Sequence, residues 1–159
     1  MIEDVEIIVD ENSLDISKHG SIYGEIFFKV GETCFPGPEW DDFPVVILKW
    51  WIDAWKAIWI GKSGTASEFL FMDGPVKIKI KKLNEETAAL DFIRQGSKEP
   101  YVQCHIDQLK RALLVASRKV LREVNKRGWK TNDIDWLSNA SRSLGSDGTS
   151  PNNRLNGRP

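Results

Sequence analysis

Cys104 and His105 are neighbours, the one place in the chain where a thiol and an imidazole meet. A nucleophile and its base must touch, and sequence neighbours in regular structure point in different directions, so adjacency alone makes no catalytic pair. The other histidine, His19, stands beside Gly20 in a loop-like stretch and reads as an exposed loop residue. Cys34, Cys104, His105 and Asp107 lack the paired spacing of a structural zinc site. Gly61-Lys62-Ser63-Gly64-Thr65 imitates a phosphate loop. Lys56, however, stands where that motif needs its first glycine, and the flanking pattern is helix then strand rather than strand then helix. Carboxylates distant in sequence, such as Asp42 and Asp73, can still converge in space, which keeps open an enzyme working through paired acids. No motif points to a reaction, and no metal or cofactor is expected.

Binding chemistry is better represented. Five of the seven tryptophans fall between Trp40 and Trp59. Each indole carries a large apolar area and a single N–H donor, so the cluster is either packed with care or used for contact. On a helix beginning near Pro44, Lys49, Asp53 and Lys56 share one stripe, and the apolar arc covers roughly 220° of the circumference. Trp51 and Trp55 lie near the middle of that arc, and Trp50 and Trp59 on opposite rims. Exposed together with Trp40, the rim indoles would make a patch of interaction-site size. Glu32, Glu39, Asp41 and Asp42 would border it with negative charge. The expected partner surface is therefore Glu39, Trp40, Asp41, Asp42, Trp50 and Trp59, suited to a basic protein domain or to a sugar stacked on indole.

Lys110, Arg111, Arg118, Lys119, Arg122, Lys126, Arg127 and Lys130 make a later helix basic, and Lys77, Lys79 and Lys81 add to it. Phosphate contact is conceivable on such a face. The total charge is −1 and no nucleic-acid reader motif occurs, so a solvated face is the simpler reading. Residues 1–53 carry twelve acidic and three basic side chains, residues 54–159 eleven acidic and nineteen basic. Folding can interleave these charges, or leave an acidic and a basic face that steer a charged partner.

The positioning elements follow from periodicity. Val5, Ile7 and Val9 share one side of a strand with Glu6 and Asp10 opposite, and Ile22, Ile26, Phe28 and Val30 mark a second strand. The tryptophan helix follows, capped by Asp41 or Asp42 with Pro44 in its first turn and ended by Gly61. Phe69–Met72 and Val76–Lys82 read as strands joined by a two-residue Asp73-Gly74 turn, and Thr87–Ile93 as a fifth strand. A long helix is expected over Val102–Lys126, and a short one after Asn132 or Asp133. The expectation is a single α+β domain over residues 1–140, an antiparallel sheet of about five strands packed on the two longer helices in ββαβββαα order. Residues 141–159, rich in Ser, Gly, Asn, Arg and Pro, read as a disordered polar tail. Two cysteines, no long apolar stretch and an acidic N-terminus suggest a cytoplasmic protein without a membrane span. Oligomeric state has no signature here.

The block Trp40-Asp41-Asp42-Phe43, the apolar helix with Trp50-Trp51, and Phe71-Met72-Asp73-Gly74-Pro75 together resemble small bacterial immunity proteins of polymorphic-toxin and contact-dependent inhibition systems. The resemblance spans about a third of the chain. It implies a cytoplasmic antidote that binds a cognate toxin domain and blocks its active site or its access to substrate. It carries no functional residue across. A non-catalytic binding protein is thus expected, with a carbohydrate or small-ligand module using the same indoles as the alternative and an enzyme with convergent carboxylates third.

Overall fold

Strands appear where apolar residues alternate, and the computed structural model describes residues 2–95, 97–98 and 101–146. The first sheet gathers β1 (Glu6–Val9), β2 (Asp15–Ile16), β3 (Ile22–Val30), β4 (Thr33–Phe35) and β5 (Asp41–Asp42). β3 is its spine and pairs antiparallel with the other four. The second sheet holds β6 (Ala66–Leu70), β7 (Lys77–Lys82), β8 (Thr87–Arg94), β9 (Ser97–Lys98) and β10 (Val102–His105), in the order β10-β8-β7-β6 with β9 on β8. The α+β class therefore holds, with the antiparallel strands divided between two sheets. Helices α1 (Pro44–Ile60), α2 (Ile106–Lys126) and α3 (Asn132–Ser146) complete the fold.

α1 lies at the centre, against β3 of one sheet, β6 and β7 of the other, and both remaining helices. Its apolar arc explains this place: a helix so wide in its hydrophobic face must be covered on several sides. Phe28 of β3, Trp51 of α1 and Phe69 of β6 meet with ring centroids 4.8 to 5.8 Å apart, joining both sheets to the helix. Burying indoles requires partners for their N–H groups. Trp51 Nε1 donates to the Leu70 carbonyl at 2.7 Å and Trp55 Nε1 to the Ile106 carbonyl at 2.9 Å. These bonds set the angle between α1, β6 and the start of α2.

Several expected boundaries move. Residues 102–105 form β10 before α2 begins, since Val102 and Cys104 alternate with Gln103 and His105 and pair with β8. The Asp73-Gly74 turn is part of a six-residue connection, 71–76, because β6 ends at Leu70 and β7 starts at Lys77. Phe71 is drawn out of the strand into the aromatic core, against Trp51 and Phe35. α3 is capped by Thr131, whose Oγ1 accepts from Ile134 N at 3.2 Å, and it continues to Ser146. The first six residues of the expected tail, 141–146, are therefore helical, with Ser141 and Leu144 buried; residues 147–159 lie outside the described residues.

Lys82 is the other departure from a simple pattern. It is in phase with the inward residues Ile78 and Ile80 and is buried. Its ammonium donates to the carbonyls of Trp59 (3.1 Å) and Gly61 (2.7 Å), the open C-terminal end of α1. A cation there satisfies orphan carbonyls and opposes the negative end of the helix dipole. Glu85 lies 3.7 Å away and adds a counter-charge.

Candidate functional site

The elements that pair with β3 bring together carboxylates far apart in sequence. Glu25 faces Asp41 across the β3–β5 pairing, and the amide of Asp10 donates to the Glu25 carbonyl at 3.2 Å. The Glu25 carboxyl is held above its ordinary range, first by loss of hydration and then by the negative charges of Asp10, Glu39 and Asp41. Asp10, Glu39 and Asp41 are exposed, so the group forms an acidic ledge on the outside of the first sheet. Glu39 carries this ledge in a left-handed backbone conformation, φ 61°, which side-chain-bearing residues seldom adopt. Among the described residues no three His, Cys, Asp or Glu side chains are grouped to hold a metal ion.

The other expected surface residues divide. Asp42 is only 5% exposed and is a structural node. Its Oδ2 accepts from Trp40 Nε1 (2.9 Å) and the Met72 amide (3.3 Å), and its Oδ1 from the Phe43 amide (2.8 Å). It thus ties the approach to α1 onto the 71–76 connection. The N-cap of α1 is Phe43, without a side-chain cap bond, so neither Asp41 nor Asp42 plays that role in the usual way. Trp40 is half-buried, with its ring edge-on to Phe71 at 6.3 Å. Trp59 is buried at 4% exposure, which removes it from the expected patch. Its ring stacks on Trp55 at 5.2 Å, and the Lys110 ammonium of α2 lies 5.7 Å above it. Trp50 alone of the three stays exposed, at 38%. Glu39 and Asp41 are exposed as expected.

The most exposed indole lies outside the expected surface. Trp136 of α3 is 57% exposed. It lines an open groove of about 520 Å³ between α1 and α3, with Lys49, Asp53, Lys56, Asn139 and Ser143. Lys49 and Asp53 are paired there at 2.6 Å, and Lys56 donates to Ser143 at 3.1 Å. The helical pattern itself held the signal: Ile134, Leu137 and Leu144 define one face of α3, and Trp136 falls away from it.

The thiol and the glycine loop are committed to the fold. Cys104 is fully buried and its thiol is pushed up to about 12 by that burial, so it holds no thiolate near neutral pH. His105, the next residue along β10, is exposed on the other side. In the Gly61–Thr65 loop the Gly64 amide donates to the Lys82 carbonyl and the Thr65 amide to that of Lys62. Both amides are committed internally, and β6 rather than a helix follows.

Charge is sorted in space only in part. Lys119 reaches Glu11 at 3.7 Å across the two halves of the chain, and Arg127 donates to the Leu14 carbonyl at 2.9 Å. Lys77 pairs instead with Glu68 and Arg127 with Glu123, within the second half. Lys110 is buried, whereas Arg111, Arg118, Arg122, Lys126 and Lys130 remain on the surface. No helix among the described residues is long and apolar enough to cross a membrane. Compared with known proteins, the chain matches no family model, no curated protein and no solved structure.

Proposed function

We propose that this chain is a non-catalytic, cytoplasmic binding protein whose acidic ledge docks a basic protein domain. The cognate partner in this reading is a bacterial toxin, as the resemblance to immunity proteins suggests. The observation that carries the proposal is the strand pairing that sets Asp10 and Asp41 opposite Glu25, with the negative charge of Glu39 added to theirs. Carboxylates that repel one another lower stability unless a cation relieves them. A Lys- or Arg-rich surface relieves all four at once. Trp40, half-buried beside the ledge and pinned by Asp42, supplies a rigid aromatic margin that loses little entropy on contact.

The test is co-expression with the reading frame adjacent to this gene. If that frame arrests growth, the chain should relieve the arrest and bind its product. Glu39→Lys with Asp41→Lys should slow association steeply at low salt and much less at high salt. Arrest that co-expression leaves untouched, or association indifferent to those reversals, defeats the proposal.

The groove holding Trp136 favours a second reading, as a carbohydrate-binding module. An exposed indole beside the amide of Asn139 and the charged groups of Lys49 and Asp53 offers stacking together with hydrogen bonding. Glycans would then quench or shift tryptophan emission in the native protein but not in Trp136→Ala, with little dependence on salt. Emission unchanged across a glycan panel removes this reading.

A further inference from the structure

A different surface, on the opposite side of β1 from its partner strand, has the geometry of an unfinished sheet. β1 closes the strand order β1-β3-β2 and, among the described residues, pairs with β3 alone. Because the Asp10 amide bonds the Glu25 carbonyl, the even-numbered residues of β1 turn their backbone groups toward β3. The odd-numbered residues turn theirs away. Val5 shows what that outer edge seeks. Its N–H donates to Gln108 Oε1 at 2.9 Å, and its carbonyl accepts from Gln108 Nε2 at 2.6 Å. One side-chain amide from α2 thus makes the pair of bonds that a neighbouring strand would make. Two residues earlier, the Glu3 amide finds the Gln103 carbonyl of β10. At Ile7 and Val9 the series stops, and among the described residues nothing bonds their outward backbone groups.

Beyond these two residues lies a groove of about 380 Å³ between β1 and α2. Its helical wall carries Arg111, Val115 and Lys119, four residues apart and so on one stripe. Val115 is 63% exposed, an apolar side chain with nothing over it. Ala112 and Ala116 keep the interior narrow in side chain and open in space. Four helical residues advance about 6 Å, and two strand residues advance about 6.8 Å. A strand laid along β1 would therefore set residues i−2, i and i+2 against Arg111, Val115 and Lys119, whichever way it runs.

We propose that this groove binds an extended segment of a partner protein by adding it as a strand to β1, with the pattern acidic–x–apolar–x–acidic facing α2. Main-chain bonds to Ile7 and Val9 supply affinity and the alternate side chains supply selection, as in other strand-addition sites. Charge complementarity selects the acidic flanks, because Arg111 and Lys119 outnumber Glu6 on the rim. Among the described residues Lys119 is held by its partly exposed pair with Glu11, which exchanges for a peptide carboxylate at little cost. The site is independent of the acidic ledge and takes a partner of opposite charge.

The experiment titrates the native chain against a fluorescent peptide, Gly-Thr-Glu-Thr-Val-Thr-Glu-Thr-Gly, by anisotropy, with amide hydrogen exchange in parallel. Binding should protect the Ile7 and Val9 amides. N-methylation of the peptide on its β1-facing amides, or replacement of both Glu by Lys, should weaken it about tenfold or more. Arg111→Glu and Val115→Glu are surface changes that should leave the melting temperature in place and weaken binding by a similar factor. Absence of saturable binding, indifference to N-methylation, or protection only at other amides each overturns the proposal. So does self-association that covers β1 with a second copy.

Discussion

Replacing Asp42 by Asn separates a structural from a functional carboxylate. The two oxygens of Asp42 serve three donors: Oδ2 takes the Trp40 indole and the Met72 amide, Oδ1 the Phe43 amide. Asparagine keeps the shape but offers one acceptor and one NH₂ group. Whichever way the amide is turned, at least one buried donor loses its acceptor and meets another donor. An unsatisfied buried polar group costs about 1–3 kcal/mol, and losing the charge assistance on the remaining bonds brings the total to about 2–4 kcal/mol. In a domain of this size each kcal/mol moves the melting temperature by about 2–4 °C, so Asp42→Asn should melt about 5–15 °C below the native chain. Near-UV circular dichroism and urea titration would read it directly, since Trp40 sits at the node. A melting temperature within about 2 °C of native would refute the assignment. An acid/base role for Asp42 demands the reverse pattern, with turnover lost and melting unchanged.

Lys82→Met leaves the Trp59 and Gly61 carbonyls without their buried cation and should cost about 2–4 kcal/mol, read by urea unfolding. A midpoint equal to that of the native chain would mean that water replaces the ammonium. Glu25 should make stability depend on pH. Its folded-state pKa lies above the ordinary 4.5, so the native state binds the proton more tightly than the unfolded chain. Stability present below the unfolded value is then lost as pH rises through the folded one. Glu25→Gln should accordingly raise the melting temperature near neutral pH and give no gain in acid below the ordinary carboxylate range. An equal gain at both would trace the effect to something other than charge. The tryptophans should separate as well: Trp59→Ala should cost about 3–5 kcal/mol as a core truncation, and Trp50→Ala, which keeps 38% of its surface in water, about 1–2 kcal/mol. Equal losses from the two would contradict the packing of α1.

How much of the molecule was legible depends on the range of the physics involved. The alternation in 22–30 and 87–94 and the apolar arc of 44–60 are local patterns, so those strands and α1 sit where the sequence puts them. Local reasoning failed where a distant partner decided. Residues 102–105 run straight into the helical pattern of 106–126, yet pairing with β8 holds them extended. Residues 141–146 look like a polar tail, yet Leu144 has a core to enter and the helix follows it. The candidate site divides in the same manner. Exposure of Glu39 and Asp41 was readable from their own neighbourhood, whereas the burial of Asp42 depended on Met72 and that of Trp59 on Lys110.

From the chain alone came the types of the longer elements, the wide apolar arc of the tryptophan helix and an excess of acid in the first third. Folding decided which indoles see water and which carboxylates crowd Glu25. Helix and strand periods are properties of adjacent residues, and burial and field are sums over side chains brought together from distant parts of the chain. A rim position on a helix is wet or dry only once another element has, or has not, packed over it.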